Sequence, residues 1–144
     1  MTKIFKPENA RDLIVHNEGY RPTVYKCTAG YDTIGYGFAI KDLFFSKKFC
    51  DSILNEKIIE IELKLHQNKC DWYKELPEEA QWVVQDLIYN LGFSGFFKFK
   101  KTIKLLKKHD FKGASKELLD SKYARKDVPN RAKRNSEILF NIGE

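Results

Sequence analysis

The chain is expected to fold as an α+β protein, mainly α, with one small β-hairpin or sheet near its N-terminus. Three observations predict this. Apolar residues recur at helical spacing over nearly everything beyond residue 46. One segment, residues 22–38, instead concentrates strand formers around a Thr28-Ala29-Gly30 turn. Proline and glycine fall at plausible element boundaries.

Taken in order, Pro7 and Glu8 suit the start of a first helix and Gly19 its stop, with Ala10, Leu13 and Ile14 as its apolar face. Val24, Tyr25, Thr33, Ile34 and Tyr36 then read as strands. Gly35 and Gly37 point to a bend or a close backbone approach. Phe49, Ile53, Leu54, Ile58, Ile61 and Leu65 mark a long amphipathic helix, interrupted before Pro77. Ala80, Val83, Val84, Leu87, Ile88 and Leu91 form the most apolar helix, which Gly92 should stop. Phe99, Ile103 and Leu106 mark a further helix, Ala114, Leu118 and Leu119 the next. Pro129 sits at a good opening position for the last one.

The 144 residues suit a single domain, with room for two lobes, and would bury roughly two-thirds of the unfolded surface. The 42% hydrophobic content argues against disorder. The formal charge of +6 favours an anionic partner: nucleic acid, membrane surface or cell wall. Cys27, Cys50 and Cys70 are odd in number and lack metal-type spacing, so a reduced chain without structural metal is expected. No apolar run approaches a membrane span, and the N-terminus lacks a signal-peptide core, which together suggest a cytoplasmic protein.

Glu18 follows Ile14 by four positions and Ala10 by eight, so it extends the apolar face of the first helix. It also falls in the last turn, at the negative end of the dipole. Both features disfavour its ionised form and suit a general acid. The alternative is a helix-ending Glu paired with Arg21 or a Lys. Thr33, on a strand, has a hydroxyl able to hold water, or is there only for β-propensity. Cys27 is either a half-buried small hydrophobe or a working thiol; no histidine is tied to it as a base. Asp32 should point to the opposite face from Thr33.

Together these residues resemble the phage-type lysozymes, the endolysins of glycoside hydrolase family 24. The motif reads Glu18-Gly19, Tyr25-Lys26-Cys27, Gly30 and Thr33-Ile34-Gly35-Tyr36-Gly37. Glu18 precedes Cys27 by nine residues and Thr33 by fifteen, matching that family's Glu, Asp/Cys, Thr triad. Asn90-Leu91-Gly92, Ser121-Lys122-Tyr123 and Val128-Pro129-Asn130-Arg131-Ala132-Lys133-Arg134 resemble its later segments, so the likeness runs from about residue 9 to 140.

The resemblance implies a lysozyme-like two-lobed domain over 1–144. Its N-terminal lobe would cover about 12–50, its connecting helix about 51–66 and its helical C-terminal lobe about 67–144, with the first helix packing on that lobe. It implies a monomeric muramidase that cleaves the β-1,4 bond between N-acetylmuramic acid and N-acetylglucosamine in peptidoglycan, with no cofactor. Glu18 would protonate the leaving oxygen, Thr33 would help hold the attacking water, and Cys27 would support that water or the developing charge. Tyr89, Thr102, Asn130 and Arg131 fall on positions expected to meet substrate. For Tyr89 a core position is the alternative, and for Asn130 and Arg131 a role anchoring the last helix against the hairpin. The family logic implies storage in the cytoplasm and release to the wall through a lesion made by a holin, or by another export route.

Two departures stand out. Cys27 stands where the best-known members have Asp, so the stereochemical outcome cannot be read from a carboxyl–carboxyl distance. Phe38 stands where many have His, so altered packing is expected. The lysine-rich run from Phe97 to Lys112 reads as an amphipathic helix with a solvated basic face, or as a weak attraction to anionic wall or membrane. Two competing functions remain. One is a basic nucleic-acid-binding module, although no nucleic-acid signature is present. The other is a catalytically impaired wall-binding relative.

Overall fold

A computed structural model of the chain describes residues 5–143, with the side chain of Asp127 excepted. The fold is α+β and mainly helical. It divides into two compact units, residues 1–49 and 50–144.

The first unit holds α1 (Ala10–Glu18) and a three-stranded antiparallel sheet of β1 (Arg21–Lys26), β2 (Asp32–Gly35) and β3 (Phe38–Ala39), in that spatial order. The cap of α1 is Asn9, whose side chain accepts from the Asp12 amide at 2.8 Å, so the helix opens two residues later than Pro7 and Glu8 suggest. Gly19 stops it as expected. At φ 69° it takes a conformation open to glycine, and its amide bonds the Val15 carbonyl at 2.9 Å.

The expected hairpin is extended by a third strand. Tyr25 pairs with Thr33 across β1 and β2, and Thr33 with Ala39 across β2 and β3, so Thr33 sits mid-sheet. It is the only buried residue among those described in this unit. The apolar face of α1 is not buried: Leu13 and Ile14 are exposed, and no residue of α1 is buried.

The unit boundary falls within α2 (Lys47–Gln67), whose start is capped by the Ser46 hydroxyl, which accepts from the Phe49 amide. Only Ile61 and Leu65 of its apolar pattern are buried, while Phe49 and Leu54 remain exposed. The core of the second unit is built on α3 (Glu78–Phe97), where Ala80, Val83, Val84, Leu87, Ile88 and Phe96 are buried. Gly92 breaks this helix at φ 75° and ψ 170°, and one further turn follows. The expected stop is therefore real, but the chain re-enters helix at once.

Three more helices complete the unit: α4 (Lys100–Lys107), α5 (Phe111–Leu119) and α6 (Pro129–Phe140), with Pro129 in the first turn of the last. α5 and α6 pack closely. Buried Ser115 and Ser136 tie them together, their hydroxyls 2.6 Å apart and each also bonded to the other's carbonyl. Leu106, Leu118, Leu139 and Ala132 close the core from these helices. Burying this many leucine and phenylalanine side chains is the dominant favourable term, about 1.5–3 kcal/mol each.

Candidate active site

The motif residues of the first unit are held by local geometry. Glu18 is the last residue of α1 and is exposed, not folded into an apolar face. Its carboxyl group lies directly on Gly37, in the turn joining β2 to β3. A Cβ placed on Gly37 would clash with Glu18 Oε2 and stand 2.8 Å from the carboxyl carbon. Gly37 also has φ 73°, so both its backbone shape and its lack of a side chain make room for the acid. The sequence suggested a close approach here without naming what approaches.

Cys27 ends the turn side of β1. Its amide donates to the Tyr31 carbonyl at 3.0 Å, and its carbonyl accepts from the Gly30 amide at 2.8 Å. These bonds close a tight loop around the half-buried thiol. Within it the Tyr31 backbone pulls the thiol below its ordinary pKa, and desolvation works against this. The backbone of Ala29, the Thr33 hydroxyl and the backbone of Gly30 add to the lowering. Cys27 and Thr33 are thus brought side by side. Thr33 is 3% exposed, and its hydroxyl donates to the Tyr31 carbonyl at 2.9 Å, leaving lone pairs to accept from a water. Asp32 points the other way, as strand alternation requires, and forms an exposed pair with Lys26 at 2.7 Å.

In the second unit Arg131 is an anchor. Its guanidinium donates twice to Asp86 of α3, Nε to Oδ2 at 2.8 Å and Nη2 to Oδ1 at 2.6 Å, and Asn135 donates to the same carboxylate at 2.8 Å. Arg131 thus ties α6 to α3 through Asp86. The hydrogen bonds from Arg131 hold the Asp86 carboxyl below its usual pKa against partial desolvation, with Asn135 assisting. No local signal in the sequence marks Asp86, which lies 45 positions from Arg131.

Tyr89 is half exposed, which removes its core alternative. Together with Arg131, Trp82 and Leu54 it lines a cavity of about 450 Å³. Asn130 is exposed. Thr102 is buried and lines a different cavity, between the start of α4 and the end of α5. Phe38, in place of the expected His, is half exposed and packs edge-on against Tyr36, with ring centroids 6.2 Å apart.

Among the described residues, no group of three or more His, Cys, Asp or Glu side chains is placed to hold a metal ion. No helix among them is long and apolar enough to cross a membrane.

The phage lysozyme family model matches residues 15–137, most of the chain and all three motif residues, and the protein is a member of that family. A search of curated proteins gives no match.

Proposed function

We propose that the protein is a muramidase of the endolysin type, which hydrolyses the β-1,4 bond between N-acetylmuramic acid and N-acetylglucosamine and so lyses cells. The observation that carries this reading is the seat of Glu18: an exposed carboxyl at the open end of α1, lying against Gly37, whose positive φ favours glycine and whose missing Cβ leaves it room. The family match over the same segment supports it.

In this reading Glu18 protonates the glycosidic oxygen as the bond breaks. Thr33, already committed as a donor to the Tyr31 carbonyl, accepts a hydrogen bond from the attacking water. Cys27 supplies the negative charge that a carboxylate supplies elsewhere, because its thiol is tuned toward the thiolate by the surrounding backbone and Thr33. Half-exposed Tyr89 packs against a sugar ring, and Asn130 and Thr102 contact the substrate. Arg131 positions α6 beside them. The protein reaches the wall through a membrane lesion made by another protein, or by another export route.

The test is clearing of purified peptidoglycan by wild type and Glu18→Gln. Glu18→Gln should be near-inactive, with at least a hundredfold loss, the usual scale for a general acid. New reducing ends without new free amines should accompany the wild-type reaction. Normal clearing by Glu18→Gln would sink the proposal.

A further inference from the structure

The turn that seats the Glu18 carboxyl cannot be fixed by its own backbone preferences. Two of its four residues, Gly35 and Gly37, are glycines at φ 69° and 73°, and glycine loses more conformational freedom on ordering than any other residue. The neighbouring ladder is irregular as well: Arg21 pairs with Gly35, but the register of β1 on β2 shifts between Arg21 and Tyr25. A carboxyl group resting on Gly37 is only as well placed as this turn.

Three aromatic side chains supply the constraint. The ring of Phe38 lies directly on Gly35, where an added Cβ would stand 2.8 Å from Cδ2 and 2.9 Å from Cε2. Tyr36 meets Phe38 edge to face, at an interplanar angle of 82°. It also meets Tyr20, with ring centroids 5.6 Å apart and planes inclined by 46°. Tilted and edge-on contacts of this kind are the favoured arrangements of aromatic pairs. Chain order gives them their meaning. Tyr20 follows Glu18 by two residues, and Tyr36 and Phe38 flank Gly37. The Tyr20–Tyr36 contact therefore joins the end of α1 to the turn, beside the point where the Glu18 carboxyl meets Gly37. Tyr20 and Phe38 are exposed and Tyr36 is only partly buried, so the rings are held by one another and not by a core.

We propose that Tyr36 is a positioning residue for Glu18. In contact with both Tyr20 and Phe38, it holds the turn between β2 and β3 against the end of α1 and so fixes the carboxyl group on Gly37. Its consequence for rate rests on the muramidase reading. A general acid must lie within hydrogen-bond reach of the oxygen it protonates, and a small displacement costs rate far more than it costs binding. Tyr36 acts through the turn and not on the sugar, so its loss is a loss of kcat.

The experiment measures two things on the full chain: kcat and KM for release of reducing ends from soluble glycan strands, and the order parameter of the Glu18 side chain from relaxation of labelled glutamate methylenes. Tyr36→Ala should lower the Glu18 order parameter and reduce kcat at least tenfold, with KM within about twofold of wild type. Tyr36→Phe keeps the ring and should match wild type in both. Phe38→Leu keeps apolar bulk on Gly35 and should fold even if Tyr36→Ala does not. It should lower kcat about threefold, the scale of one aromatic pair. A Glu18 side chain as ordered in the folded variants as in wild type would overturn the proposal. So would a loss carried by KM, which would make the rings sugar contacts instead. The muramidase reading fails separately, through Glu18→Gln, and the order parameter decides the positioning role even then.

Discussion

Gly37 is the residue on which Glu18 depends most directly. Gly37→Ala would set a methyl group against the Glu18 carboxyl and strain a backbone at φ 73°. The expected cost is about 1–3 kcal/mol in stability, with peptidoglycan clearing lost far out of proportion. Thermal melts beside clearing assays would show it, and an active Gly37→Ala would mean that Glu18 has freedom to move. Cys27 makes a second prediction at this scale. Its thiol is lowered by the Tyr31 backbone and its neighbours, whereas burial raises that of Cys70. Iodoacetamide should therefore modify Cys27 at lower pH than Cys70, read by peptide mass spectrometry. The sign is that of a depressed acid: the stability contributed by the Cys27 thiolate is present at and above the ordinary thiol pKa and is lost as pH falls through the folded value. Cys27→Ala should impair clearing, while Cys27→Asp should retain more of it and move the activity profile toward acid.

Between elements, the tie from α6 to α3 is the clearest single dependency. Asp86 accepts three hydrogen bonds from Arg131 and Asn135, so Asp86→Asn weakens all three and leaves the guanidinium with a poorer partner. About a third of each side chain of the ion pair is solvated, which limits the expected loss to about 1–2 kcal/mol. The Asp86 pKa is depressed, so its contribution is full above the usual carboxylate range and disappears as pH falls through the folded value. Denaturant melts across the acid range should show a flatter acid limb for Asp86→Asn than for wild type. An unchanged limb would assign the acid sensitivity to other groups. The break in α3 at Gly92 belongs to this scale too. It was legible as a stop because a positive φ suits glycine, but the resumed helix through Phe96 was not, since that turn exists to bury Phe96 in the core.

Over the whole molecule, apolar burial is divided unequally. Among the described residues, every fully enclosed hydrophobic side chain lies at Ile61 or beyond, and those of the first unit include a single buried residue, Thr33. A short helix with a three-stranded sheet and no buried apolar side chain is not expected to hold itself together. Residues 50–144 expressed alone should unfold cooperatively, and residues 1–49 alone should give the circular dichroism of an unfolded chain. A folded 1–49 fragment would contradict this reading of where the stability resides. Within the larger unit, Phe96→Ala should cost about 3–5 kcal/mol, measurable as a lowered denaturation midpoint.

The Glu18, Cys27, Thr33 series was legible only through its likeness to a known family; spacing along the chain was enough to determine the mainly helical α+β class, the strand segment and the glycine stops. Each of these rests on interactions over a few residues: helical and strand periodicity, turn chemistry and the conformational freedom of glycine. Tertiary structure alone decided that Gly37 receives the Glu18 carboxyl, that backbone groups of residues 29–31 surround the Cys27 thiol, and that Arg131 serves Asp86. It also left Leu13 and Ile14 exposed, although their pattern is that of a buried face. The reason is physical: periodicity says which residues share a side of an element, but burial, hydrogen-bond partners and pKa depend on what that side meets after the chain has turned back on itself.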